Sequence, residues 1–180
     1  MTAVLALALA VGFVVWLLTR GDDSSSPSLS PTTQPSRRAQ PLLRAATPRS
    51  IAALSAKMKQ PIFWAGRRRG VKYELTRTVD GRVYVRYLPR GVRVGNRSGE
   101  YLLIGTYPVR DAYAAVQRAT KEAGAQTFSV PGGGLAVVNS SAPKNVYFAF
   151  PHGRYQVEVF DPSAQRARRL VASGAVKPVR

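Results

Sequence analysis

The 180-residue sequence predicts an α+β domain: a mostly antiparallel sheet with two or three helices packed on one face, preceded by one transmembrane helix. Three observations lead there. Apolar and polar residues alternate through several short segments, the period of a sheet solvated on one side. Segments of helical period, opened by Pro and closed by Gly or Pro, separate these strands. Ahead of both lies a charge-free apolar run from Thr2 to Thr19.

Those eighteen residues, rising about 1.5 Å each, make a helix of roughly 27 Å, close to the ~30 Å hydrocarbon core of a bilayer. Trp16 sits at the interfacial depth and Arg20 just beyond it. The run lacks a polar face, so a buried soluble helix is a poor match. A secretory signal would carry a basic n-region and a small-residue cleavage site, and neither flanks the run. Residues 1–20 are therefore expected to be an uncleaved anchor. Residues 21–47 read as a linker, with DDSSSPSLSPTTQPS at its start and RRAQPLLRAATP at its end. Such composition buries too little apolar surface to offset its ordering entropy. Positive-inside counting leans toward a cytoplasmic C-terminus. However, long domains translocate regardless of charge, and Ser/Thr/Pro stalks are common outside the membrane. The expectation is a single-pass cell-membrane protein with an extracytoplasmic C-terminal domain.

The domain proper is expected at 48–180. Thr47 reads as an N-cap with Pro48 at N1; Ile51, Leu54 and Met58 form one helical face, and Pro61 stops the helix. PIFWA follows as a short strand. Val71, Tyr73 and Leu75 then alternate with Lys72, Glu74 and Thr76. Asp80-Gly81 supplies a hairpin turn, and Val83, Val85 and Tyr87 alternate with Tyr84 and Arg86. Residues 89–100 read as loop and Tyr101 to Tyr107 as a strand. A second helix is expected from Pro108 to about Ala123, closed by Gly124, with Ala112, Ala115, Val116 and Ala119 as its apolar stripe. QTFSV, LAVVNS, NVYFAF and YQVEVF are four further strands. Asp161 reads as the cap of a last helix with Pro162 at N1, Leu170 and Val171 inward, and Arg166 and Arg169 outward.

This order suggests an internal repeat, because RVYVRYLPRG (82–91) resembles NVYFAFPHG (145–153). A duplicated helix-plus-four-strand unit would superimpose Tyr84 on Tyr147 and Tyr101 on Tyr155. Chance recurrence of strand-turn chemistry in a meander is the alternative.

Composition limits function more than it defines it. The chain has no cysteine, which removes disulfides, thiolate metal sites and cysteine nucleophiles. Formal charge is +18, and residues 48–180 hold 23 basic and 7 acidic side chains, a surplus of +16. That excess speaks to partners: anionic lipid, an anionic cell-wall polymer, an acidic protein or nucleic acid. Nucleic acid fits poorly, since no recognition motif is present and an anchor precedes the domain. Arginine outnumbers lysine by 21 to 6. GC-rich coding and selection for bidentate anion contacts explain this ratio equally well.

Catalytic chemistry finds little support. His152, the one histidine, lies in a turn between Pro151 and Gly153 with no partner motif. The acids available to a metal are Glu74, Asp80, Glu100, Asp111, Glu122, Glu158 and Asp161, and no spacing among them implies a site. Glu74 and Glu158 are expected on the solvated side of their strands, balancing neighbouring cations. The PGGG run at 131–134 precedes a strand, not the helix a phosphate loop needs. No catalytic residue, metal or cofactor is expected. The basic clusters remain: Arg67, Arg68 and Arg69 before the hairpin, and Arg90, Arg93 and Arg97 after it. Antiparallel pairing brings both to one end, where they would form one anion-binding rim; solvated loop charge with no site is the alternative. The resulting expectation is a membrane-anchored, non-catalytic module. A hydrolase of unrecognised type and a cytoplasm-facing basic adaptor are the alternatives.

Overall fold

The computed structural model describes residues 42–180, with the elements β1 (Leu42–Ala46), α1 (Pro48–Met58), β2 (Phe63–Trp64), β3 (Val71–Arg77), β4 (Val83–Pro89), β5 (Leu103–Pro108), α2 (Ala112–Ala119), β6 (Ala125–Val130), β7 (Gly134–Asn139), β8 (Asn145–Ala149), β9 (Tyr155–Phe160), α3 (Ala164–Ala172) and β10 (Lys177–Pro178). The apolar run and most of the Ser/Thr/Pro stalk lie outside the described residues. Among those described, no helix is long and apolar enough to cross a membrane.

Eight strands form one sheet in the order β1-β3-β4-β5-β9-β8-β7-β6, every neighbour antiparallel. β2 and β10 form a small second sheet. The α+β class and the antiparallel sheet match the sequence pattern. The β3–β4 hairpin turns where Asp80-Gly81 implies. Gly81 takes a φ of 81°, where a Cβ is penalised, and Thr78 and Arg82 exchange backbone and hydroxyl hydrogen bonds across the turn.

The sheet is symmetric about one residue pair. Gly105 of β5 faces Glu158 of β9; on the outer sides Tyr84 faces Gly105, and Tyr147 faces Glu158. A half-turn about that pair therefore exchanges β4 with β8, β3 with β7 and β1 with β6, and it places Tyr84 on Tyr147. Tyr101 and Tyr155 do not correspond: Tyr155 opens β9 opposite Pro108, whereas Tyr101 precedes β5 by two residues. The helices differ too, since α1 lies between β1 and β3 while β6 joins β7 through a tight turn.

The helices do not share a face, which corrects the expected packing. Ile51 and Leu54 of α1 and Ala167 and Val171 of α3 pack with Leu75, Val83, Val85, Phe148, Val157 and Val159. α2 covers the opposite face, its Ala112, Ala115, Val116 and Ala119 against Tyr107, Val137, Tyr147 and Ala149. The cause is visible in β7 and β8, where Ala136–Val138 and Val146–Ala149 are buried without alternation. A run with no polar side needs cover on both faces.

Several boundaries also shift. Residues 42–46, read as linker, pair with β3 from Leu42–Arg77 to Ala46–Tyr73. An edge strand is held by backbone bonds, to which composition is blind. α1 begins as expected, with Thr47 and Ser50 forming a reciprocal capping box. Pro108 ends β5 rather than opening α2, and the N-cap of α3 is Ser163, not Asp161. Asp161 is buried; it accepts the Ser163 N–H at 2.8 Å and pairs with Arg166 at 2.7 Å.

Gly105 is required by its neighbour. A Cβ there would lie 2.5 Å from the Tyr107 hydroxyl and 2.7 Å from Cζ, because the phenol folds back over the glycine. Gly105→Ala must displace Tyr107 or the strand, and it is expected to lower unfolding free energy by about 2 kcal/mol or more in a denaturant titration, as overpacking does.

Candidate functional site

The hairpin register carries the arginine clusters to one end of the sheet. Val71 faces Pro89, so residues 65–70 enter the hairpin where residues 90–102 leave it. Each segment is held by a different pair of side chains. Tyr87 accepts the Ala65 N–H at 2.7 Å and donates to the Gly66 carbonyl at 3.2 Å, while Tyr73 accepts the Arg68 N–H at 2.8 Å. The Arg68 guanidinium lies 5.3 Å from the Tyr87 ring centre. The other loop is fixed by Arg86, which donates to Glu74 and the Asn96 carbonyl at 2.8 Å and to the Ser98 carbonyl at 2.7 Å. Glu74 also accepts the Gly95 N–H at 2.6 Å. Tyr73 and Glu74 are consecutive in β3, and Arg86 and Tyr87 in β4, so the two pairs point to opposite faces. The arginines therefore straddle the end of the sheet, one loop against each face, rather than lining a single groove.

Arg67, Arg69, Arg90, Arg93 and Arg97 are exposed and Arg68 is half-buried. Among the described residues the ion pairs are Asp80–Arg82, Glu74–Arg86 and Asp161–Arg166. None uses the six loop arginines. The nearest acid in sequence is Glu100, at the far end of the second loop. The arrangement is a broad cationic surface on a rigid support, suited to an extended anion.

The two strand carboxylates are not on a solvated side, which corrects the sequence reading. Glu74 is 1 % exposed and Glu158 fully buried. Loop 90–102 covers the first and α2 the second. Glu74 does balance an arginine, as expected of it. Glu158 pairs with no cation among the described residues. It accepts from the Tyr107 hydroxyl, from Asn145 Nδ2 at 2.6 Å and from the Tyr147 hydroxyl at 3.1 Å. Burial pushes its carboxyl above the ordinary range, and the three donors offset part of that shift. Burial and the nearby carboxyl also push the Tyr107 and Tyr147 phenols well above their usual value. Gln156, two residues away on the same face, is 1 % exposed, and its Nε2 has no hydrogen-bond partner among the described residues.

Glu158 itself is sealed from solvent, while Asn145 and Tyr84 beside it are partly exposed. Two clefts of the described surface lie elsewhere, one between Ser55, Lys59, Gln60 and Arg180, another between Gln126, Asn139, Gln165 and Arg168. His152 is exposed in the turn after β8, with φ of 60°. No group of three or more His, Asp or Glu placed to hold a metal ion occurs among the described residues. No family model, curated protein or solved structure matches the chain.

The sequence reading missed Tyr73, Tyr87, Glu74 and Arg86 as the supports of the arginine loops. Their signal was positional: each adjacent pair sits within two or three residues of the hairpin end that carries a cluster. Removing one partner of a buried ion pair strands the other charge. Arg86→Ala is expected to cost about 3 kcal/mol in denaturant titration and to speed proteolysis within residues 90–100, whereas Arg93→Ala should stay within about 0.5 kcal/mol of the parent. A second expectation concerns pH. Glu158 has a raised folded-state pKa, so the native state holds its proton more tightly than the unfolded chain does. Its contribution is therefore most favourable at low pH and is lost as pH rises from 4.5 through the folded-state value. Stability of the parent relative to Glu158→Gln, followed by denaturation midpoint against pH, should fall across that window and then level off.

Proposed function

We propose that this chain is a single-pass, membrane-anchored, non-catalytic module whose extracytoplasmic basic domain binds an anionic polymer of the cell envelope through Arg67, Arg68, Arg69, Arg90, Arg93 and Arg97. The observation that carries this reading is the polarity of β3. Chain entry is at Leu42, opposite Arg77, whereas the arginine loops meet β3–β4 at Val71 and Pro89. Seven residues at about 3.3 Å each separate the two ends by roughly 20 Å. Exposed cations lie at both ends, but the two loop clusters lie at the end away from chain entry, which favours for them an anion held away from the anchoring bilayer over lipid of that bilayer. The half-turn relation of the sheet and the Tyr84–Tyr147 equivalence support an origin of the two halves in one duplicated four-strand unit, whereas the mismatch of Tyr101 with Tyr155 and of the helices counts against the full helix-plus-four-strand repeat.

The test uses the full chain in nanodiscs of zwitterionic lipid, with long-chain polyphosphate as the probe. Changing Arg67, Arg68 and Arg69 to Ser should weaken binding about tenfold or more, since a cation facing an anionic surface contributes about 1 kcal/mol. Changing Arg77, Arg110 and Arg154 to Ser, all exposed and at the opposite end, should do far less. Binding should also weaken steeply as salt rises, with screening beyond ~10 Å at 0.1 M. Equal losses from the two triples would reduce the effect to net charge and remove the site. Tighter binding of poly-glutamate than of polyphosphate would shift the ligand to an acidic protein. Protection of the domain from protease added to intact cells would put it in the cytoplasm and overturn an envelope ligand.

A further inference from the structure

We propose that the end of the domain at which the chain enters is a lipid-docking surface, with Leu42, Leu43 and Val79 seated in the interfacial layer of the bilayer that holds the anchor. The proposal rests on the anchor reading above. Its structural basis is the location of exposed apolar side chains. Among the described residues the exposed large hydrophobics are Leu42 at 55 %, Leu43 at 45 % and Val79 at 75 %. All three lie at one end of the sheet. Leu42 faces Arg77, Leu43 faces Thr76, and Val79 sits two residues beyond Arg77 in the β3–β4 turn. Their backbone positions fall within about three strand residues of one another, roughly 10 Å, with Leu42 and Leu43 on opposite faces of the edge strand, so the apolar tip straddles the sheet edge.

The turn that carries Val79 is firmly built. Thr78 and Arg82 close it, the Asp80–Arg82 pair spans it at 2.7 Å, and Gln60 Nε2 donates to the Gly81 carbonyl at 3.0 Å. Exposed cations surround the apolar tip. Arg77 is adjacent to it in β3. Lys59 precedes Gln60, whose side chain bonds the turn. Arg110 and Arg154 follow the Pro108–Tyr155 pair at this end of β5 and β9. The exposed acids there are Asp80, already paired with Arg82, and Asp111. An apolar tip ringed by cations fits a bilayer surface that contains anionic headgroups.

The sequence outside the structure points the same way. Residues 20–41 join the apolar run to Leu42, so on the anchor reading the linker attaches to the domain at this end. A tether of about 22 residues holds the domain at an effective concentration of order millimolar, so weak docking suffices. A second copy is the other possible occupant, with its own β1 added to the open edge. A surplus of +16 on each domain opposes that pairing. Docking would hold the sheet upright and direct the six loop arginines away from the bilayer.

The absence of cysteine allows a direct test, because one introduced cysteine takes the sole label. The full chain carrying Val79→Cys or Arg93→Cys is labelled with nitrobenzoxadiazole and reconstituted in phosphatidylcholine vesicles containing phosphatidylglycerol. The label at 79 should shift to the blue and be quenched by lipids bearing a nitroxide near the headgroup, while the label at 93 should report water. Adding Leu42→Ser and Leu43→Ser to the Val79→Cys chain should reverse most of that shift. A water-like signal at 79 in chains that resist carbonate extraction would overturn docking and leave the anchor intact. Release of the chain by carbonate would instead remove the anchor, and docking with it. A blue shift that grows with protein density and ignores nitroxide lipid would assign the surface to a second copy and overturn the lipid proposal.

Discussion

Strands β5 and β9 are where the two halves of the sheet meet, and the burial of Glu158 at their centre constrains much of what surrounds it. A carboxyl removed from water must be hydrogen-bonded or protonated, and this one forms no ion pair among the described residues. Its donors come from both sides of the seam: Tyr107 from β5, and Tyr147 and Asn145 from β8. Tyr107 reaches it by crossing its own strand two residues back, which leaves room for no side chain at position 105. Tyr84 then packs edge-on against Tyr107, at 5.6 Å between ring centres. The helix that covers this layer presents Ala112, Ala115 and Ala119, small enough to sit close over a floor of phenols. One buried acid thus accounts for the glycine opposite it, the tyrosines around it and the short side chains above.

The other end of the hairpin applies the same economy. Adjacent residues of one strand point to opposite faces, so Tyr73-Glu74 and Arg86-Tyr87 each serve two loops with two side chains. Phenols hold residues 65–68 and an ion pair holds residues 95–98. The arginines accordingly divide into two kinds. Arg86 uses its planar fork to bind a carboxylate and two carbonyls at once, a geometry that lysine cannot reproduce. Arg67, Arg69, Arg90, Arg93 and Arg97 remain in solvent. At Arg86, therefore, the high ratio of arginine to lysine has a structural use, whatever its cause elsewhere.

The hairpin, the last four strands, the capped first helix and the Tyr84–Tyr147 correspondence were all readable, because each depends on local alternation or on a turn residue. What was not readable depends on contacts between distant segments. The face that α2 covers is set by the unbroken apolar runs of β7 and β8, and those runs acquire meaning only when the strands are placed centrally. Glu158 alternates with valines as a solvated residue would, and nothing within YQVEVF distinguishes a phenol-lined interior from water. β1 was lost because its side chains are mostly exposed and its stability lies in backbone pairing. The arginine clusters were readable as one end of the sheet, but not as two faces of it, since that separation is made by side chains of neighbouring parity.

Net charge cannot orient a domain, because a uniform surplus attracts an anionic surface equally from every side. Orientation requires a difference between ends, and this fold has one. Cations occur at both ends of β3, but exposed leucine and valine occur only where the chain enters, among the described residues. Apolar contact is short-ranged and indifferent to salt, whereas the loop arginines act over a Debye length and weaken as salt rises. The two ends thus answer to different physical variables. Strands of six or seven residues separate the apolar end from the loop arginines, so the distance between them is set by strand length. Insertions ahead of Leu42 would leave that distance unchanged, whereas a change in strand register would not.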